Sequence, residues 1–124
     1  MEKFEKFARI AEVEFSDIVL STQDLGNKLR IYLKDKTFID FFYTTGLKNQ
    51  GFSIHWERSH LNNTIYRIDN TPDKKWGKVS SYPIHFHNKI YDKVEAVPFP
   101  VNENTLLETV FREFLRFVQK VEYQ

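Results

Sequence analysis

Apolar residues near the start of the chain first follow a helical spacing and then change period. Phe4, Phe7 and Ala8 recur at i, i+3 and i+4, which predicts a short helix or helical turn from Glu2 to about Arg9. From Glu12 to Leu20 the spacing becomes alternate, with Val13 and Phe15 on one side, and the β-branched and aromatic content predicts a strand. Gln23 to Lys28 reads as a loop, with Gly26-Asn27 as its turn signal. Leu29, Ile31 and Leu33 then alternate with polar positions. Lys34-Asp35-Lys36 interrupts the pattern, and Ile39, Phe41 and Tyr43 resume it, so a hairpin is expected. After a connection over 44–50, Phe52, Ile54 and Trp56 mark a further strand. Leu61-Asn62-Asn63 supplies a turn, and Thr64 to Ile68 returns antiparallel.

Residues 69–83 have no period and hold two of the four prolines, which predicts a long loop. Short strands are expected at 84–86 and 91–97, followed by a stiff Pro98-Phe99-Pro100 connector. Thr105 and Glu108 match a capping box. Leu107, Val110, Phe111, Phe114, Val118 and Val121 recur at helical spacing, so a helix is expected over about 105–121, with Glu108 and Arg112 as an i, i+4 pair. The sum is an α+β fold: a curved antiparallel meander of about five to seven strands, with the C-terminal helix packed on one face and a short N-terminal helix.

Length and composition refine this picture. A chain of 124 residues is expected to form a single domain, 1–124, and its twelve phenylalanines predict a Phe-rich core. The absence of Cys excludes disulfides, thiolate metal sites and a Cys nucleophile. No apolar run has the length of a signal peptide or membrane span, so a cytoplasmic protein without membrane contact is expected. The net charge of +1 carries no global polyanion signal, but it is unevenly spread. From Met1 to Ile54 there are eight Lys/Arg and eight Asp/Glu, net zero. From His55 to Lys89 there are six against three, net +3, and from Ile90 to Gln124 four against six, net −2.

That basic segment also holds all four histidines, His55, His60, His85 and His87, and both tryptophans. Three chemistries fit it. In the first, His and Arg carry out metal-free acid–base cleavage of a phosphodiester: one His or Glu takes a proton from a 2′-hydroxyl, a second His or a Lys supplies one to the leaving oxygen, and Arg steadies the charge. Candidate catalytic residues are His55, Arg67, His85 and His87, and no cofactor is then required. In the second, His85-Phe86-His87 puts two imidazoles on one face of a strand, where they suit a divalent metal; His55 or His60, with Glu57 or Asp69, would complete the shell. In the third, the segment binds a nucleic acid or an acidic partner protein without catalysis. Arg58, His60, Lys74, Lys75, Trp76 and Lys78 are the candidate substrate-binding residues, bases interleaved with an aromatic ring. Trp76 folded back onto the domain, and Asp69-Asn70 acting as a plain turn, are the structural alternatives. No phosphate-binding glycine loop and no nucleophile elbow is present.

The central stretch also resembles a known family. His55-Trp56, then Tyr66-Arg67-Ile68-Asp69-Asn70-Thr71-Pro72, then Tyr82-Pro83-Ile84-His85-Phe86-His87 resemble the motifs of TumE-like proteins, with Tyr82 where Phe is usual. The resemblance covers Leu29 to Asn88 and, in general layout, the C-terminal helix. It implies a toxin of a toxin–antitoxin pair whose partner is an antitoxin, expected to bind DNA. Cleavage of RNA follows only by analogy with other small toxins.

Overall fold

A computed structural model of the chain describes residues 3–44, 51–71 and 77–122. Seven strands form one antiparallel sheet: β1 (Val19–Asp24), β2 (Leu29–Leu33), β3 (Phe38–Tyr43), β4 (Phe52–Arg58), β5 (Thr64–Asp69), β6 (His85–Lys89) and β7 (Val94–Glu95). Their order in the sheet is their order in the chain, as expected of a meander. Alternation explains the pairing. Leu29, Ile31 and Leu33 of β2, Ile39, Phe41 and Tyr43 of β3, and Phe52, Ile54 and Trp56 of β4 are all buried, so a one-residue slip of any strand would turn its apolar set to the other face. The pairs Leu29 with Phe41, Phe41 with Ile54 and Ile54 with Ile68 carry that face from β2 to β5.

Two helices cover this face. α1 (Glu5–Arg9) brings Phe7 against Phe41 and Tyr43, at ring-centroid distances of 4.7 and 5.3 Å. α3 (Leu107–Glu122) buries Leu107, Val110, Phe111, Phe114, Leu115 and Val118. Phe111 meets Phe7 and Phe41, while Phe117 meets Tyr66 and Phe86. Each such ring contributes about 1.5–3 kcal/mol of apolar burial. Trp56 is fully buried, and its indole N–H donates to Thr37 Oγ1 at 2.8 Å, so the core's largest ring has its polar edge satisfied. A third, one-turn helix, α2 (Ser59–Asn62), joins β4 to β5 and ends on Asn63 in the left-handed region, φ 60°. This is the turn expected of Asn62-Asn63.

Three local expectations are corrected. The strand expected over 12–20 begins only at Val19, because the N-terminal helix runs on through a π-helical turn, Ile10–Glu14. Phe4, Phe7, Ile10 and Ala11 are all buried and continue one helical stripe, whereas Val13 is 69% exposed. Thr105 does not cap α3; its hydroxyl accepts the Asn102 backbone N–H at 2.9 Å. Glu108 and Arg112 do not pair with each other. Glu108 pairs with Lys6, and Arg112 grips both oxygens of Glu14 at 2.8 and 2.9 Å, so the two charges tie α3 to the N-terminal helix. Among the described residues, no helix is long and apolar enough to cross a membrane.

Candidate active site

The sheet's other face carries the polar residues, and the register aligns them. Arg30 pairs with Asp40, Asp40 with His55, His55 with Arg67, and Arg67 with His87. One row thus crosses five strands, and facing pairs on neighbouring strands share a side of the sheet. The adjacent row contains Ser53, Asp69 and His85. Strands lie about 4.8 Å apart, so His55 and His87, two strands apart, are separated by about 10 Å at the backbone.

The half of the row toward β2 is an open groove of about 520 Å³, lined by Lys28, Arg30, Asp40, His55, Glu57 and Arg67 among others. Asp40 accepts from Lys28 at 2.9 Å and from Arg30 at 2.8 and 2.9 Å. Burial works against its ionisation, but these two cations outweigh burial and hold its carboxyl below the usual range. The Arg30 guanidinium lies 4.0 Å from the Phe38 ring centroid. His55 Nε2 is 3.2 Å from Glu57 Oε1. Burial again opposes ionisation of Glu57, yet hydrogen bonds from the Ser59 hydroxyl and amide and from His55 keep it lowered.

The half toward β6 is buried. Asp69 is the hub: Oδ1 lies 3.0 Å from His85 Nε2, while Oδ2 lies 3.5 Å from His87 Nε2 and 3.2 Å from Arg67 Nε. The Thr71 amide donates to Oδ1 at 3.1 Å. Asp69, His85 and His87 are only 5%, 4% and 1% exposed. Burial alone would raise the Asp69 pKa and lower that of His85. Their mutual contact wins in both cases, so the carboxyl is held far below its usual range and the imidazole is raised. His85 Nδ1 faces the Pro83 carbonyl at 3.2 Å and His87 Nδ1 faces the Tyr91 carbonyl at 2.7 Å, while the Tyr91 ring stacks on His87.

The predicted site residues therefore separate. His55, Arg67, His85 and His87 lie in adjoining rows of one face, as the period of two in His85-Phe86-His87 implied. His60 does not join them; it is exposed in α2, beyond the end of β4. Arg58 lies on the helix-covered side, its guanidinium 4.6 Å from the Trp56 ring centroid. Lys78 is exposed in a turn, and Lys74, Lys75 and Trp76 lie outside the described residues. Lys28, Arg30 and Asp40 were not anticipated. Their signal was the polar half of the β2 and β3 alternation, which carries as much placement information as the apolar half.

A protein-family comparison matches residues 2–122 to the family described as Toxin TumE. No curated protein and no solved structure matches the chain. Because the match spans nearly the whole chain, including both rows of the polar face and the helix behind them, this protein belongs to the TumE family and is a toxin of a toxin–antitoxin system, whose partner is an antitoxin.

Proposed function

We propose that this toxin is a ribonuclease acting on RNA in the cytoplasm, and that its catalytic groove is the open half of the polar row. The observation that carries the reading is the pairing of His55 with Arg67 on adjacent strands, with Glu57 behind the imidazole. His55 is the general base, taking the proton of a 2′-hydroxyl, and Glu57 orients the ring and steadies the imidazolium that forms. The 2′ oxygen attacks phosphorus, and Arg67 balances the charge that builds on the phosphoryl oxygens. The departing 5′ oxygen takes its proton from water in the open groove. Lys28 and Arg30 supply positive charge along the strand of RNA, and the exposed Phe42 offers a ring for base stacking. His85 and His87, being buried, are positioning residues: they hold Asp69, and Asp69 holds Arg67. An antitoxin seated over the groove, DNA-binding in this reading, would silence the toxin.

The test incubates purified protein with RNA in EDTA and, separately, with divalent metal. Cleavage that falls at least about 10²-fold in His55→Ala, with folding intact by circular dichroism, supports the reading. RNA left whole under both conditions overturns it. Salt-sensitive RNA binding without cleavage would instead make the face a binding surface.

A further inference from the structure

The geometry points to a site for one divalent transition-metal ion, of the zinc class, formed by Asp69, His85 and His87. One oxygen or ring nitrogen from each residue can be chosen so that all lie within 4.8 Å of one another. Three observations favour a metal over a self-contained ion-pair cluster.

First, both imidazoles are anchored in the same sense. Each Nδ1 faces a backbone carbonyl, Pro83 for His85 and Tyr91 for His87. A carbonyl oxygen only accepts, so Nδ1 carries the hydrogen and Nε2 is turned to the carboxylate. Metal-ligating histidines are held in this way, through a hydrogen bond from the non-ligating nitrogen.

Second, His87 Nε2 is a buried polar atom without a hydrogen bond. It stands 3.5 Å from Asp69 Oδ2, within ion-pair reach but without hydrogen-bond geometry. Leaving such an atom unsatisfied is costly, and a coordinated ion removes that cost.

Third, the spacing fits. Nitrogen and oxygen ligands at about 2.0–2.2 Å from a tetrahedral zinc ion are about 3.4 Å from each other. The two histidine–carboxylate distances, each to a different Asp69 oxygen, are 3.0 Å to Oδ1 and 3.5 Å to Oδ2. Two imidazoles and one carboxylate leave a fourth position for water, and this donor set suits zinc rather than magnesium or calcium. The ion would sit among His85 Nε2, His87 Nε2 and the Asp69 carboxylate. It would lock Asp69, and with it Arg67, behind the groove.

The assignment does not rest on ribonuclease activity, and its test does not use RNA. Protein stripped with EDTA is titrated with Zn²⁺ by calorimetry, and with Co²⁺ followed by its visible absorption. Uptake of one ion per chain is expected, with a rise in melting temperature at saturating Zn²⁺. His87→Ala should abolish both, whereas His60→Ala should keep both. Failure of the wild-type chain to take up Zn²⁺ would show a metal-free ion-pair cluster and overturn the proposal. So would uptake unchanged in His87→Ala, or lost in His60→Ala. Should His87→Ala not fold, Asp69→Asn read with Co²⁺ serves instead, and tetrahedral cobalt bands surviving in it count against the site.

Discussion

Nε2 of His85 stands 3.0 Å from Oδ1 of Asp69, and both side chains are almost wholly withdrawn from water. The carboxylate arrives on β5 and the imidazole on β6, at paired positions of the ladder. A buried charge with its partner removed is far more costly than an exposed one. In metal-free protein, Asp69→Asn keeps the shape but strips the counter-charge from His85 and Arg67. The expected loss is about 3–5 kcal/mol, read from the urea midpoint at neutral pH in EDTA. A loss under about 1 kcal/mol would mean that the cluster is not stabilised as an ion pair.

Thr37 is buried, and its hydroxyl accepts the hydrogen bond of the Trp56 indole N–H. Thr37→Val preserves volume and leaves that N–H without an acceptor. The expected cost is about 1–3 kcal/mol by chemical denaturation. An unchanged midpoint would show that the indole finds another acceptor.

Phe111 is fully buried where α1, β3 and α3 meet, 5.2 Å from Phe7 and 4.9 Å from Phe41 between ring centroids. Phe111→Ala should destabilise by about 3–5 kcal/mol, because the facing rings belong to a sheet and a helix that cannot both collapse inward. The comparison variant Phe42→Ala, on the exposed side of β3, should cost far less.

Stability should depend on pH through the end of α3. Burial, and then the neighbouring Asp35, raise the Glu122 pKa from 4.5 to about 7, while Arg58 pulls it the other way. Asp35 Oδ2 is buried with no donor of its own, so the proton on Glu122 is the natural bridge between the two carboxyls. Between pH 4.5 and about 7 the folded chain holds a proton that the unfolded chain has lost. Stability therefore falls as pH rises through that window and levels off above it. Glu122→Gln should flatten this part of the melting-temperature profile, and a slope that persists in the variant would place the titration elsewhere.

Arg67 lines the groove and presents a planar fork whose Nε is taken by Asp69. Lys cannot reproduce that fork. If the chain cleaves RNA, Arg67→Lys should lower the rate by about 10²-fold or more. A rate within a factor of two of wild type would remove Arg67 from the chemistry.

The core face of β2 to β5 was readable because a period of two admits few other structures over Leu29–Leu33, Phe38–Tyr43 and Phe52–Arg58. The strand expected over 12–20 fails before Val19 for the opposite reason. Val13 and Phe15 alone fit a strand, and the helical series Phe4, Phe7, Ile10, Ala11 passes through a π turn that breaks the expected spacing. In the site, the two imidazoles of β6 followed from alternation alone. Asp69 was visible only as one of several carboxyls, because a run of Asp-Asn-Thr-Pro also spells a turn. Its contact with Arg67 is between residues two apart on β5, while its partnership with His85 depends on which residues face each other across β5 and β6. That register is set by turn lengths and by the far face, not by any local motif.

The meander has a kinetic meaning. Each strand pairs with its neighbour in the chain, so the sheet can grow hairpin by hairpin with local closures, the longest of them the β5–β6 connection over 70–84. The long closure is left to α3, whose Arg112 reaches back 98 positions to Glu14. Until that helix docks, the apolar side of the sheet has only the N-terminal helix to cover part of it. Mutations in α3 should therefore act mainly on the late steps of folding, and chains stalled before Leu107 should present an aggregation-prone sheet already carrying its polar row.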